Sequence, residues 1–211
     1  MVRLYKDRKD AGRQLAKHLG FIELNDPLVL AIPRGGVIVG NEVASALGAD
    51  LDVVMAKKVG APFNPEFAIA AVDLDGNITV LSDWGLAMYT DYIREEAQAL
   101  QREIQAKLEY YRNGNPAKEV KGRDVIVVDD GLATGLTALA ALKYVRGKEP
   151  DCIVLAVPVA PSNTLALLEE YADVLVCPFV PQEFYAVGQW YLEFDQTSDD
   201  EVRQIMAKYL S

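Results

Sequence analysis

The 211-residue chain is long enough for one sizeable core, and at 51% hydrophobic and 25% charged it has the composition of an ordinary globular protein. Asp and Glu outnumber Lys and Arg by 31 to 21, a net charge of -10 that argues against nucleic-acid binding, which needs a basic face. Any anionic ligand must be held by local cations and backbone N–H groups acting against that field. Cys152 and Cys177 each lie in an apolar run and read as small buried residues of a reducing, cytoplasmic compartment. With no CxxC and no His/Cys cluster, no zinc site is expected. The opening MVRLYKDRKDAGRQLAKHL is charged and amphipathic, unlike a secretory signal, and no window reaches the ~18 apolar residues of a membrane span.

In chain order, Ala11, Leu15, Ala16 and Leu19 recur at helical spacing before Gly20, which predicts a helix over 7–19. LVLAI at 28–32 is a short continuous apolar run, the pattern of a strand covered on both faces. PRGG follows, and VIVGNEVASALG reads as a helix stopped at Gly48. LDVVMA at 51–56 is a second buried strand ending at Lys57 and Lys58. Runs from Phe67 or Ala68 to Val72 and over 77–81, around Asp75-Gly76, predict a hairpin. Ile93, Ala97, Leu100, Ile104 and Leu108 space a long helix over 86–112, broken by NGNP. DVIVV at 124–128 is a third buried strand, followed by a helix to about Val145. CIVLAVPVA at 152–160, a helix near 163–171 and a strand around Leu175 ending at Cys177 complete two further units. From Pro178 the tail is irregular and aromatic-rich, and 199–209 closes the chain as a helix.

Buried strands alternating with helices imply an α/β fold whose twisted, mainly parallel sheet has about five strands flanked by helices. Ligands of such sheets bind at the carboxyl ends of the strands. The residues there are Arg34-Gly35-Gly36, Lys57-Lys58, and Asp129 through Thr137.

The stretch VIVVDDGLATGLTAL at 125–139 joins an acidic pair to a small, hydroxyl-bearing turn. Gly131 and Gly135 let the backbone turn tightly, Thr134 and Thr137 supply hydroxyls, and the next helix offers free N–H groups, together a phosphate cradle. It is neither a Walker A loop nor a GxGxxG fingerprint. Asp129 and Asp130, adjacent at the end of a buried strand, repel each other unless cations or hydroxyls compensate them. VVDD alone also suggests a response-regulator receiver, but that fold needs an acidic residue ending a later strand, and here the next strand ends in VPVAP.

The stretch resembles the phosphoribosyl pyrophosphate (PRPP) motif of type I phosphoribosyltransferases: a hydrophobic strand, an acidic pair, then T-G-x-T. AIPRGG resembles the family's pyrophosphate loop, and MAKKVGAPF the basic segment after the second strand in adenine-type members. The likeness spans roughly 28–160, and VAVPVAP and FYAVG extend it to a bacterial group of uncharacterised members. The resemblance implies one domain over 1–211, with a core at about 20–177 and a hood formed by the tail 178–211 with the N-terminal helix. It implies transfer of 5-phosphoribose from PRPP to a nitrogenous base with Mg²⁺, in a homodimer. Asp129 and Asp130 would hold the ribose hydroxyls, with Mg²⁺ carried by PRPP nearby rather than bound directly. Ala133, Thr134, Gly135, Leu136 and Thr137 would wrap the 5-phosphate. Arg34, Gly35, Gly36, Lys57 and Lys58 would face the pyrophosphate, under a flexible cover at 60–66.

In 6-oxopurine members a carboxylate stands at the position of Ala133 and handles the base proton; adenine-type members have alanine there. Glu66 is therefore the candidate general base, and Phe184 and Tyr185 the candidates for stacking on the acceptor. His18, the single histidine, lies on the first helix away from any strand end. A regulator that senses PRPP without turning it over is the alternative function.

Overall fold

The computed structural model describes residues 4–80 and 83–210; the side chains of residues 66 and 83–88 lie outside the description, as does Leu81 of the expected second hairpin strand. The apolar periodicities become, in chain order, α1 (Arg8–Leu19), β1 (Leu28–Ala31), α2 (Gly35–Leu47) and β2 (Asp50–Val53). A hairpin region follows, with β3 (Ala56–Ala61), β4 (Asn64–Asp73) and β5 (Ile78–Val80), and then the long α3 (Asp83–Arg112), kinked at Tyr89. The rest comprises β6 (Asp124–Val128), α4 (Leu136–Arg146), β7 (Cys152–Ala156), α5 (Ser162–Leu168), β8 (Val174–Val176) and α6 (Asp199–Met206).

Five strands form one parallel sheet in the order β2-β1-β6-β7-β8, flanked by helices on both faces. Alternate residues of each strand serve opposite faces. Val29, Ala31, Ile126 and Val128 pack with Leu15, Val43, Ile104, Leu108 and Met206 of α1, α2, α3 and α6. Leu28, Leu30, Val125 and Val127 pack with Leu139, Leu142, Val145 and Leu168 of α4 and α5. Each such Leu, Val or Ile contributes about 1.5–3 kcal/mol relative to exposure, so the central strands hold the site's platform rigid.

Three expectations need correction. The run 51–56 is not one strand: β2 ends at Val53, and Ala56 opens a separate antiparallel sheet, β3-β4-β5, by pairing with Asp73. That same sheet carries the segment expected as a cover: residues 60–66 lie at the tip of the β3–β4 hairpin, with a register shift at Gly60 and Phe63 exposed at the turn. The run 152–160 leaves the sheet after Ala156, because Pro158 has no N–H for the ladder; a single bridge, Val159 with Phe179, resumes beyond it. The helix expected over 163–171 spans only Ser162–Leu168.

The tail is tied to the N-terminus. Tyr5 and Tyr191 form a bridge, the Leu192 N–H donates to the Tyr5 carbonyl at 2.9 Å, and the Glu193 N–H to the Lys6 carbonyl at 2.8 Å. The Tyr5 hydroxyl donates to the Pro158 carbonyl at 2.8 Å, which seats this unit beside the exit of β7. Among the described residues no helix is long and apolar enough to cross a membrane.

Candidate functional site

β1 and β6 are neighbours in register, Ala31 beside Val128, so the segments that leave their carboxyl ends must meet. From β1 the chain proceeds to β2 on one side, and from β6 to β7 on the other. The crevice between them is where the winding reverses, the usual ligand position in open α/β sheets. The Ile32 N–H donates to the Val128 carbonyl at 2.8 Å and carries the pairing one residue past β1. The Pro33–Arg34 peptide bond is cis, and α2 starts at Gly35.

Close approach makes the two glycines necessary. A Cβ on Gly35 would stand 1.9 Å from Asp130 Oδ2 and 2.6 Å from Arg8 Nε; one on Gly36 would stand 2.9 Å from Asp129 Cα and from the Val128 carbonyl oxygen. These two glycines, which the resemblance puts against a diphosphate, also pack closely on the acidic pair.

Asp129 Oδ1 accepts from the N–H of Asp130 at 2.8 Å. Burial, and then the charge of Asp130, push the Asp129 carboxyl well above the ordinary carboxylate range. Asp130 is pulled both ways. Burial raises it, while the guanidinium of Arg8, with Nε 2.6 Å from Oδ2, lowers it; burial prevails. The Arg8 and Asp130 side chains are only 11% and 14% exposed, so this bridge is poorly screened by solvent. The Tyr191 hydroxyl donates to the Asp130 carbonyl at 2.5 Å, and burial followed by the Asp130 charge pushes it upward, so it stays a donor.

The turn after the acidic pair ends in a bare helix terminus. The Leu132 N–H donates to the Val159 carbonyl at 3.0 Å, and the buried Thr164 hydroxyl donates to the Ala133 carbonyl. Gly135 precedes α4 at φ +76°, a conformation that glycine adopts without strain. It has no side chain to cap the helix, and no acidic residue occupies the first turn. The N–H groups of a helix's first turn have no intrahelical acceptor and carry the positive end of its dipole. Ala133 and Thr134 are exposed and Thr137 is half-buried. Leu136 is buried with Ala56, Ala71 and Ala140, so its side chain anchors α4 beneath the hairpin sheet and only its backbone is available to a ligand.

The expected basic group is divided. Lys57 pairs with Glu103 of α3, while Lys58, next along β3, is exposed on the other face. Arg34 lines a cleft of about 670 Å³ with Glu103, Lys107 and Tyr110 of α3 and Ser198, Asp199 and Asp200 at the start of α6. Lys107 and the Tyr111 hydroxyl donate to Asp199 and hold its carboxyl below the usual range. Arg34 thus lines the cleft, Lys57 is linked to it by the ion pair with Glu103, and Lys58 stands apart.

The Glu66 side chain lies outside the described residues. Phe184 packs toward Trp190, with ring centroids 6.4 Å apart, while Tyr185 is 79% exposed. His18 is exposed, its Nδ1 3.0 Å from the Gln14 carbonyl. Asp75 pairs with Lys148 at 2.7 Å, away from the crevice. Arg8, Tyr191, Thr164 and Lys107 were missed from the sequence. Each reaches the crevice or its cleft from a distant element, and no motif surrounds any of them. Among the described residues no three His, Cys, Asp or Glu side chains converge. An acidic pair with one member engaged by Arg8 fits a cation arriving with an oxygen-rich ligand better than a resident one.

A family model described as a phosphoribosyl transferase domain matches residues 4–192. Proteins from two strains of Mycobacterium tuberculosis, provisionally named phosphoribosyl transferases, are 44% identical over 205 residues, 95% of this chain. The chain spans about half the length of these curated relatives, 46% of each. A crystal structure from Thermus thermophilus is 41% identical and superposes with a TM-score of 0.86, covering 99% of this chain and all of that one. With the acidic pair and the bare α4 terminus facing one crevice of a five-stranded parallel sheet, the chain belongs to the phosphoribosyl transferase domain family and has its type I fold.

Proposed function

We propose that this chain transfers 5-phosphoribose from PRPP to a nitrogenous base and releases pyrophosphate, with Mg²⁺ and in the cytoplasm. The carrying observation is the juxtaposition in one crevice of a carboxylate pair with an uncapped helix N-terminus. A sugar phosphate presents both complements: hydroxyls that donate to carboxylates, and a phosphate that accepts from N–H groups.

In this reading Asp129 and Asp130 take the ribose hydroxyls. The backbone of 133–137 with the Thr134 and Thr137 hydroxyls takes the 5-phosphate, and Thr164 and Leu136 hold that turn in shape. Displacement forms a bond from the anomeric carbon to the base nitrogen and breaks the bond to pyrophosphate. Positive charge grows on the ribose, where the carboxylates oppose it, and negative charge grows on the leaving group, toward Arg34 and Lys57. Mg²⁺, when bound, would neutralise charge on the diphosphate. Glu66 on the hairpin is the candidate for the base proton, and Phe184 and Tyr185 are the candidates for the acceptor's face.

The test is pyrophosphate release from PRPP and Mg²⁺ with a panel of purine, pyrimidine and pyridine bases. Release with one class supports the transferase. PRPP binding without release from any base favours the regulator instead.

A further inference from the structure

We infer that Arg8 is a positioning residue of the proposed site: it orients and charge-balances Asp130 and ties that carboxylate to the C-terminal tail. The inference rests on the proposed binding of ribose by the acidic pair. Three contacts of one guanidinium carry it. Nε donates to Asp130 Oδ2 at 2.6 Å, Nη1 donates to the Asp195 carbonyl at 2.7 Å, and the guanidinium stacks 3.9 Å from the Phe194 ring centroid. Three elements therefore meet on one side chain: α1, the segment after β6, and the tail.

Local physics does not account for an arginine there. Arg8 is the first residue of α1, where the helix dipole disfavours a cation. The position is fixed by the Asp7 cap, whose carboxylate accepts from the Asp10 N–H at 2.7 Å. Gly35 supplies the room, since any Cβ would collide with both Asp130 Oδ2 and Arg8 Nε. Lysine would keep the charge but lacks the planar fork that makes two directed bonds and a stack at once.

Among the described residues, the charged and titratable groups facing Asp130 are Asp129 beside it, Arg8 from α1 and the Tyr191 hydroxyl from the tail; α2 contributes uncharged Gly35. Glu201 of α6 faces Arg8 in turn. Among the described residues Arg8 is thus the cation acting on Asp130, and without its charge the burial of Asp130 opposes ionisation more strongly.

The test compares the wild type with Arg8→Gln and Arg8→Lys, each confirmed as folded by melting. Two readouts are taken against pH: calorimetric affinity for PRPP with Mg²⁺, and carbon-13 NMR titration of the Asp130 carboxyl in the free protein. In Arg8→Gln the Asp130 titration and the acid limb of PRPP binding should both move up by about 1–3 pH units, with weaker binding at neutral pH. Arg8→Lys should keep the wild-type limb yet bind several-fold more weakly, because the tie to Asp195 is lost. Should Arg8→Gln not fold, Arg8→Lys decides: wild-type affinity overturns the inference. A folded Arg8→Gln with wild-type affinity, limb and Asp130 titration also overturns it, as a purely structural arginine would lower only the melting temperature. A wild type that binds no PRPP refutes the functional proposal, and the ribose role of Arg8 with it. The Asp130 titration separates that failure from a failure of the Arg8 contact itself.

Discussion

Gly35→Ala puts a methyl group where the Arg8–Asp130 bridge now passes. The new Cβ would lie 1.9 Å from Asp130 Oδ2 and 2.6 Å from Arg8 Nε, both far inside van der Waals contact. Each clashing atom belongs to a side chain, so the protein relieves the overlap by swinging the pair apart rather than by moving backbone. The loss is one charge-assisted hydrogen bond between largely buried groups, about 1.5–3 kcal/mol. Replacing glycine in a helix returns up to ~1 kcal/mol. The net cost is then about 0.5–3 kcal/mol, and at ~2–4 °C per kcal/mol for a chain of this size the melting temperature should fall by roughly 1–12 °C. Binding should suffer as well: with Asp130 displaced, PRPP affinity should drop at least ~10-fold, the equivalent of about 1.4 kcal/mol. Gly36→Ala is the contrast, because its Cβ meets the Asp129 Cα and the Val128 carbonyl, which are backbone. It should destabilise by about 1–3 kcal/mol through overpacking. Differential scanning calorimetry and a PRPP titration on both variants read these effects. A folded Gly35→Ala protein with wild-type PRPP affinity would refute the argument that this glycine exists to admit the bridge.

Three further outcomes follow from the same geometry. The Asp129 carboxyl lies above its unfolded value in the folded chain, so its contribution to stability is fully present at acid pH and lost as pH rises through the raised value. Asp129→Asn keeps an acceptor for the Asp130 N–H and has no charge to bury, so it should melt above the wild type at neutral and alkaline pH, with the gap closing in acid, while binding PRPP poorly. Gly135→Ala forces an L side chain to φ +76° with its Cβ 2.7 Å from Thr164 Cγ2; chemical denaturation should show a loss of about 2–5 kcal/mol and titration a weaker grip on ribose 5-phosphate. Arg112→Met removes the cation that bonds buried Asp52 at 2.9 Å and joins α3 to β2; it should cost about 3–5 kcal/mol, and the variant, assayed while still folded, should keep PRPP affinity.

The parallel sheet was legible because its strands are short apolar runs buried on both faces, the signature left by DVIVV and LVLAI. The bend after Val53 was not, because 51–56 stays apolar across it and hydrophobicity does not record a change of sheet. The acidic pair and the α4 terminus are contiguous in sequence, so one motif displays them. Lys57 and Lys58 are contiguous too, but a strand sends neighbouring side chains to opposite faces, and a strand was not expected there. Arg8 lies 122 positions from Asp130, on a helix whose periodicity describes only its buried side. The packing of Gly35 and Gly36 on the acidic pair was hidden for a related reason: a glycine in sequence announces room without saying which neighbour fills it.

The central claim is that Asp129 and Asp130 with the α4 terminus grip one sugar phosphate. The most direct test is a calorimetric titration of the wild type and of the Asp129→Asn, Asp130→Asn double variant with PRPP and Mg²⁺. Saturable single-site binding in the wild type and its loss in a folded double variant is the predicted result. A wild type that shows no binding, or a double variant that binds with unchanged affinity, would contradict the claim.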